Sequence, residues 1–330
     1  MSAPESSSSS SSASPDITST KTSTCTDTRF RGKTIVITGA GGTFGRAGCL
    51  YFAQRGARVA ALDNNFDALT ETVKLVRKEC QASAQPYVNK HINGFECDVT
   101  STESVDAAIR DVVEAFGSID LLWNNAGYQG QIKPTLDYSV ADFATVLSIN
   151  VTGMFAVMQA VAKVMAKSFE DSKNNENKPK AGEGSDGDDS AASASSHPYA
   201  IVNTASVAGM RGTPAMVAYS SSKAAVLAMT VSSAKDLAPH GIRVNAVSPA
   251  LIGPGKLWTR QNELHASSGS PYFATDPEEV AKAKVGGVPM KRLGTTDEVI
   301  KAVAFLLSDD SSYTTAFNLV VDGGMSGGLR

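Results

Sequence analysis

Cysteine is scarce in this chain. Four are present, Cys25, Cys49, Cys80 and Cys97, none in a CxxC pair and none at zinc-finger spacing. That excludes a disulfide framework and a structural zinc site, and it fits thiols kept in a reducing compartment such as the cytoplasm. Excess positive charge is also missing. Thirty Lys and Arg stand against 33 Asp and Glu, for a net charge of -3, so a bulk nucleic-acid binder is not expected. No apolar run is expected to cross a membrane. The N-terminus has neither the apolar stretch of a secretory signal nor the Arg-rich, acid-poor character of a transit peptide. A soluble cytoplasmic protein with no metal and no nucleic-acid or membrane partner is expected.

What the chain does have is ordinary core material, with 42% hydrophobic and 19% charged residues. Residues 1–29 are mostly Ser and Thr and are expected to form a disordered tail. Residues 30–330 read as one domain. Short β-branched runs at 34–38, 58–62, 94–97, 121–123, 200–203, 243–247 and 317–321 alternate with helical periodicity at 46–54, 67–80, 101–116, 139–167, 218–237 and 296–307. This alternation predicts an α/β fold with a doubly wound, seven-stranded parallel sheet and helices on both faces. A polar stretch at 168–198 interrupts the pattern and is expected to be a disordered insert, leaving the sheet on the side away from the chemistry.

Three motifs carry the functional signal. Thr38-Gly39-Ala40-Gly41-Gly42-Thr43-Phe44-Gly45 lies between the first strand and the first helix. A dinucleotide pyrophosphate needs backbone N–H groups and a helix N-terminus at close range, so small residues must line such a turn. Asp63 ends the second strand, 24 residues after Gly39. A carboxylate there can accept from adenosine ribose hydroxyls and repel the extra phosphate of NADP. Together these two features predict a Rossmann-type NAD site. Third, Tyr219 and Lys223 are four residues apart, which stacks them on one helix face. A nearby ammonium favours the phenolate, and a phenol adjusted in that way can exchange protons with an alcohol or carbonyl.

On these residues the chain resembles the short-chain dehydrogenase/reductase family from about Gly32 to Gly324. Further matches are Asp98-Val99, Asn124-Asn125-Ala126-Gly127, Asn150 within Ser148–Val151, and Ser206, thirteen residues before Tyr219. The resemblance implies a catalytic set of Asn150, Ser206, Tyr219 and Lys223. Ser206 would hold the substrate oxygen, and Tyr219 would move its proton. Lys223 would lower the Tyr219 pKa and hold the nicotinamide ribose, and Asn150 would hold a water that relays protons from Lys223. The implied cofactor-binding set is Gly39, Gly42, Thr43, Phe44, Gly45, Asp63, Asp98, Val99, Asn125, Ala126, Gly127, Tyr219, Lys223, Pro249 and Ile252, with Asp98 at the adenine. Two departures from the family pattern stand out. Thr43 occupies a usual glycine position, and Pro249-Ala250 replaces the usual Pro-Gly.

Tyr128-Gln129-Gly130, the segment from Ser248 to Glu263, and that from Tyr272 to Met290 narrow the resemblance to NAD-dependent polyol dehydrogenases of the xylitol type. Gln129, Trp258, Gln261 and Glu263 are the candidate substrate contacts. The lid carrying the last three can also be read as a loop whose polar residues face water. Two other functions remain open on sequence alone. One is a reductase of 3-oxoacyl, steroid or other carbonyl compounds, and the other is a non-catalytic dinucleotide-binding sensor or scaffold. The family resemblance further implies a homodimer or homotetramer.

Overall fold

The computed structural model describes residues 27, 29–82, 92–176 and 198–327. Its elements run β1 (Thr34–Thr38), α1 (Thr43–Ala53), β2 (Arg58–Asp63), α2 (Phe66–Ala82), β3 (Ile92–Glu96), α3 (Thr102–Phe116), β4 (Leu121–Asn124), α4 (Val140–Leu147) and a π-helical turn (Ser148–Gly153). They continue with α5 (Met154–Glu176), β5 (Tyr199–Thr204), α6 (Ala208–Arg211), α7 (Val217–Leu237), β6 (Ile242–Pro249), α8 (Lys256–Ala266), α9 (Pro277–Gly286), α10 (Thr296–Leu307) and β7 (Asn318–Val321).

The seven strands form one sheet in the order β3-β2-β1-β4-β5-β6-β7, and every pairing is parallel. Alternate residues of each strand face opposite sides. Ile35 and Ile37 of β1 join Phe52 of α1, Val76 of α2 and Val303 of α10 in one core layer. Val36, between them, joins Ile109 of α3 and Val161 of α5 in the other. The inner strands β1, β2, β4, β5 and β6 are thus buried on both faces, which is why their segments read as short continuous apolar runs. The order in which strands are added reverses between β1 and β4, and a crevice opens at the carboxyl ends of those strands.

Several expectations change. The helix expected at 139–167 is broken by the π turn and continues to Glu176, so residues 168–176 are helical rather than part of an insert. Phe169 anchors this extension, since a Cβ added at Gly241 would lie 2.6 Å from its ring. The remainder of the expected insert, 177–197, lies outside the described residues, as do residues 1–26 and 28 of the expected tail. Two residues of the expected tail, Asp27 and Arg29, are among those described. Arg29 bridges Asp27 and Asp310 at 2.8 and 2.7 Å, and Phe30 is buried against Phe52. The stretch Val140–Asn175 does contain a window long and apolar enough to cross a membrane by length and composition. Its Val157, Met158, Val161 and Met165 are instead buried in the core under the sheet.

Gly48 of α1 shows how closely the layers approach. A Cβ there would fall 2.2 Å from the Trp123 ring of β4, whose Nε1 donates to Thr204 Oγ1 at 2.9 Å. A larger residue at 48 improves helix propensity by at most ~1 kcal/mol, whereas overpacking a rigid core costs about 1–3 kcal/mol. Gly48→Val is therefore expected to lower unfolding stability by ~2 kcal/mol, read as a lower denaturant midpoint with unchanged m.

Candidate active site

Two cavities meet at the crevice. The first, about 660 Å³, is lined by the glycine turn, Asp63, Val99, Asn125, Ala126, Gly127 and Ile252. The second, about 600 Å³, is lined by Ser206, Tyr219, Lys223, Gln129, Trp258, Gln261 and residues of α8 and α9. Phe44, Asn125, Gly127, Tyr128, Ile252, Leu257 and Trp258 border both.

The first cavity begins where β1 ends. Gly39 has φ +67°, in the left-handed region, and a Cβ there would stand 3.0 Å from Ala126 Cα. Gly45 presses α1 against the turn, because its Cβ would lie 2.2 Å from Gly39 O. Gly42 caps α1 without any side-chain hydrogen bond, which leaves the helix N-terminus open to an anion. Thr43 takes the first helical position, a place with no need for glycine's freedom. Asp63 is fixed by two backbone donors, Gly41 N–H to Oδ2 and Asn65 N–H to Oδ1, both at 2.8 Å. These groups fit a dinucleotide, with N–H groups at the helix start for a pyrophosphate and an oriented carboxylate for a ribose. Asp98 follows β3, beside the cavity rim. Its Oδ1 accepts from the Thr100 N–H and hydroxyl at 2.9 and 2.7 Å, and its neighbours Cys97 and Val99 line the cavity.

In the second cavity, α7 carries Tyr219 and Lys223 on one face and β5 leads into Ser206. Lys223 Nζ is buried, donates to Thr204 O at 2.7 Å and stands 5.6 Å from the Tyr219 ring centroid. Burial lowers its pKa to about 8. Burial raises the Tyr219 phenol above its ordinary value, and a hydrogen bond with the Ser206 side chain offsets part of that. The expected depression of the Tyr219 pKa is therefore not seen; desolvation of the phenolate is the larger effect. Ser206 Oγ also accepts from Ala208 N–H at 3.1 Å and lies 3.4 Å from Pro249 O. The π turn places Asn150 so that its Oδ1 accepts from Tyr128 N–H at 2.7 Å, while its Nδ2 donates to Tyr128 O at 2.8 Å and Ser222 Oγ at 3.0 Å. Asn150 thus clamps the loop after β4 to α7. A Cβ at Gly127 would sit 3.3 Å from Asn150 Oδ1 and 3.5 Å from Lys223 Nζ, so only glycine keeps the space between them clear.

The lid is helical where a loop was one of the two readings, with α8 and α9 packed together. Trp258 and Gln261 line the cavity, as does Gln129 from the loop after β4, whose Nε2 is buried without a partner. Glu263 does not line it and is exposed. On an α-helix, residues 258, 261 and 265 share a face from which 263 points away. The residues missed at the sequence level are His265, Lys284 and Phe273, which line the same cavity. The three-to-four-residue spacing of Trp258, Gln261 and His265 was the available signal.

A scan of family models matches residues 33–173 to the short chain dehydrogenase model and 190–326 to a model described as enoyl-(acyl carrier protein) reductase. The fold, the paired cavities and these matches define an oxidoreductase, and the chain belongs to the short-chain dehydrogenase family. A solved structure of NAD+-bound xylitol dehydrogenase is 44% identical, with TM-score 0.77 over 89% of this chain and 99% of that one. Levodione reductase of Leifsonia aquatica is 33% identical over 299 residues, covering 91% of this chain and 96% of the relative. A 3-oxoacyl-[acyl-carrier-protein] reductase of Thermotoga maritima is 31% identical over 297 residues, covering 90% and 99%.

The buried Lys223 carries a stability cost with a definite sign. Its pKa falls from 10.5 to about 8 on folding, so below pH ~8 both states are charged and the native state bears the full cost. That cost shrinks between about pH 8 and 10.5, where only the unfolded state stays protonated. Lys223→Met is expected to raise stability at pH 7 by on the order of 2–3 kcal/mol, with the gain nearly gone at pH 10.5. Denaturant titrations at the two pH values read this directly.

Proposed function

We propose that the protein is an NAD-dependent oxidoreductase that interconverts a secondary alcohol and a ketone on a small hydroxyl-rich substrate, a polyol such as xylitol and its ketose. The observation that carries this reading is the juncture of the two cavities. Tyr219 and Ser206 line together the cavity that abuts the glycine turn and Asp63. NAD bound along that turn supplies the hydride chemistry.

Within this reading Ser206 orients the substrate oxygen and Tyr219 takes the hydroxyl proton during oxidation or returns it during reduction. The buried Lys223 ammonium beside the ring favours the phenolate at that moment. Asn150 holds the Tyr128 loop in place, and the space beside Gly127, bordered by its Oδ1 and Lys223 Nζ, is where a water would relay protons outward. The glycine turn, Thr43 and Phe44 bind the pyrophosphate side, Asp63 the adenosine ribose, Val99 the adenine side, and Asn125 to Gly127 with Pro249 and Ile252 the nicotinamide side. Gln129 supports a hydroxyl-rich substrate, because its buried Nε2 needs an acceptor. The 44% identity to a xylitol dehydrogenase supports the same choice. Met216, Leu251, Leu257 and Phe273 of the lining favour a second reading, a compact cyclic ketone of the kind levodione reductase is named for. A homodimer or homotetramer and a cytoplasmic location complete the proposal.

Three expected outcomes test the reading. Tyr219→Phe keeps the ring and removes the phenol oxygen, so turnover should fall at least ~10³-fold, the scale of general acid–base catalysis, while NADH affinity stays within a few-fold. Near-normal turnover in that variant overturns the mechanism. Asp63 should favour NAD over NADP by on the order of 100-fold in kcat/KM, since two negative groups at contact cost several kcal/mol in a partly dry site; Asp63→Ala should close most of that gap. Comparing xylitol oxidation with reduction of a cyclic diketone and a 3-oxoacyl thioester ranks the substrate classes. A wide margin for either carbonyl compound contradicts the polyol assignment.

A further inference from the structure

Inside the substrate cavity, across from the catalytic residues, α8 and α9 hold a second set of polar side chains. Lys284 Nζ of α9 donates to Asn262 Oδ1 of α8 at 2.8 Å and lies 3.0 Å from His265 Nδ1. That same Nδ1 is 2.7 Å from Gln261 O. His265 is 1% exposed, and its Nε2 is buried with no partner. Lys284 and His265 both line the cavity.

A hydrogen-bond count exposes what is missing. An ammonium has three N–H donors and a neutral imidazole one. If Nδ1 donates to Gln261 O, Lys284 uses one donor on Asn262 and keeps two. If Nδ1 accepts from Lys284, then Lys284 keeps one and the buried Nε2–H is left over. Either tautomer leaves two N–H donors without an acceptor among the described residues.

The charge is uncompensated as well. No acidic side chain among the described residues forms an ion pair with Lys284. The rings of Trp258 and Phe273, with centroids 5.4 and 5.9 Å from Nζ, offer only the weaker attraction of aromatic faces. Burial pulls Lys284 down to about 8, and burial together with the Lys284 charge pulls His265 down to about 4. A half-buried cation with two spare donors, walled by aromatic rings, matches a group with two acceptor oxygens and one negative charge.

We propose that Lys284 and His265, with Asn262 positioning Lys284, form a carboxylate-binding subsite, so that the preferred substrate is a hydroxylated acid. Its carboxylate is held between α8 and α9 while its secondary alcohol lies at Ser206 and Tyr219. The reaction balances as hydroxy acid plus NAD+ giving keto acid, NADH and one proton, the hydride leaving the carbinol carbon and the hydroxyl proton leaving through Tyr219. This rests on the hydroxyl-rich substrate reading above and deepens it. Neutral polyols fill the same cavity and leave the Lys284 cluster unsatisfied, so they are turned over less well.

Xylitol and xylonate make a matched pair of probes, the same carbon chain ending in CH2OH or in carboxylate. Calorimetric binding to the NADH-loaded full chain, and kcat/KM with NAD, are measured for both. Wild type is expected to favour xylonate at least ten-fold. Lys284→Met, which keeps the length of the side chain and removes a buried charge, is expected to cut that ratio ten-fold or more, and Lys284→Arg to keep most of it. Equal or better binding of xylitol by the wild type overturns the subsite and leaves the polyol reading standing, and needs no variant. An unchanged ratio in Lys284→Met overturns it too. Binding of neither compound, alongside turnover of a cyclic ketone, overturns the hydroxyl-rich reading and the subsite together.

Discussion

The Thr38 hydroxyl holds the point on which the rest of the site depends. At the carboxyl edge between β1 and β4 the crossover helices leave for opposite faces, and backbone N–H groups there have no neighbouring strand to bond. Thr38 Oγ1 accepts from the N–H of Asn125 and of Ala126, both at 2.9 Å, and lies 3.3 Å from Asn124 Oδ1. Asn125 Nδ2 returns a bond to Thr38 O at 3.1 Å. With these bonds in place the chain turns away from the sheet on both sides of one crevice, and that crevice is the seam between the two cavities. Buried backbone groups must be satisfied, and here satisfying them also shapes the site.

From this seam the polar order spreads outward by burial. Asn124 Nδ2 reaches Met154 O at 2.7 Å, tying β4 to the start of α5 beside the π turn. Asn150, within that turn, reaches back to Tyr128 and across to α7 through Ser222. Lys223, one residue on, reaches Thr204 at the end of β5. Three strands and two helices are thus coupled through side chains that are nearly all buried. The arrangement costs stability where Lys223 is desolvated and gains fixed geometry at Tyr219 and Ser206. π turns inside α-helices are frequent at functional sites, and this one falls on Asn150.

Much of the architecture was legible in the sequence because it rests on period. Strands buried on both faces read as short apolar runs, and helices between them as a 3.6-residue repeat, which was enough to anticipate the seven-stranded parallel sheet. The glycine turn and Asp63 were legible because a helix start against a strand end leaves few residue choices. Other features depend on tertiary contacts that no local pattern carries. The polar composition after Lys167 hid a helix that Phe169 secures against Gly241. Glu263 is one residue from Asn262, but the helical turn sends it to solvent. His265 and Lys284 lie 19 residues apart in sequence and meet only because α9 folds back on α8.

The central claim is that this crevice moves a hydride between a substrate carbinol carbon and NAD bound along the glycine turn. Its most direct test follows the hydrogen itself. The full chain is incubated with NAD and a polyol deuterated on its secondary carbinol carbons, and the reduced cofactor is examined by mass spectrometry. The account predicts that deuterium appears in the NADH formed. Formation of NADH without label, or of label only in solvent water, would contradict it.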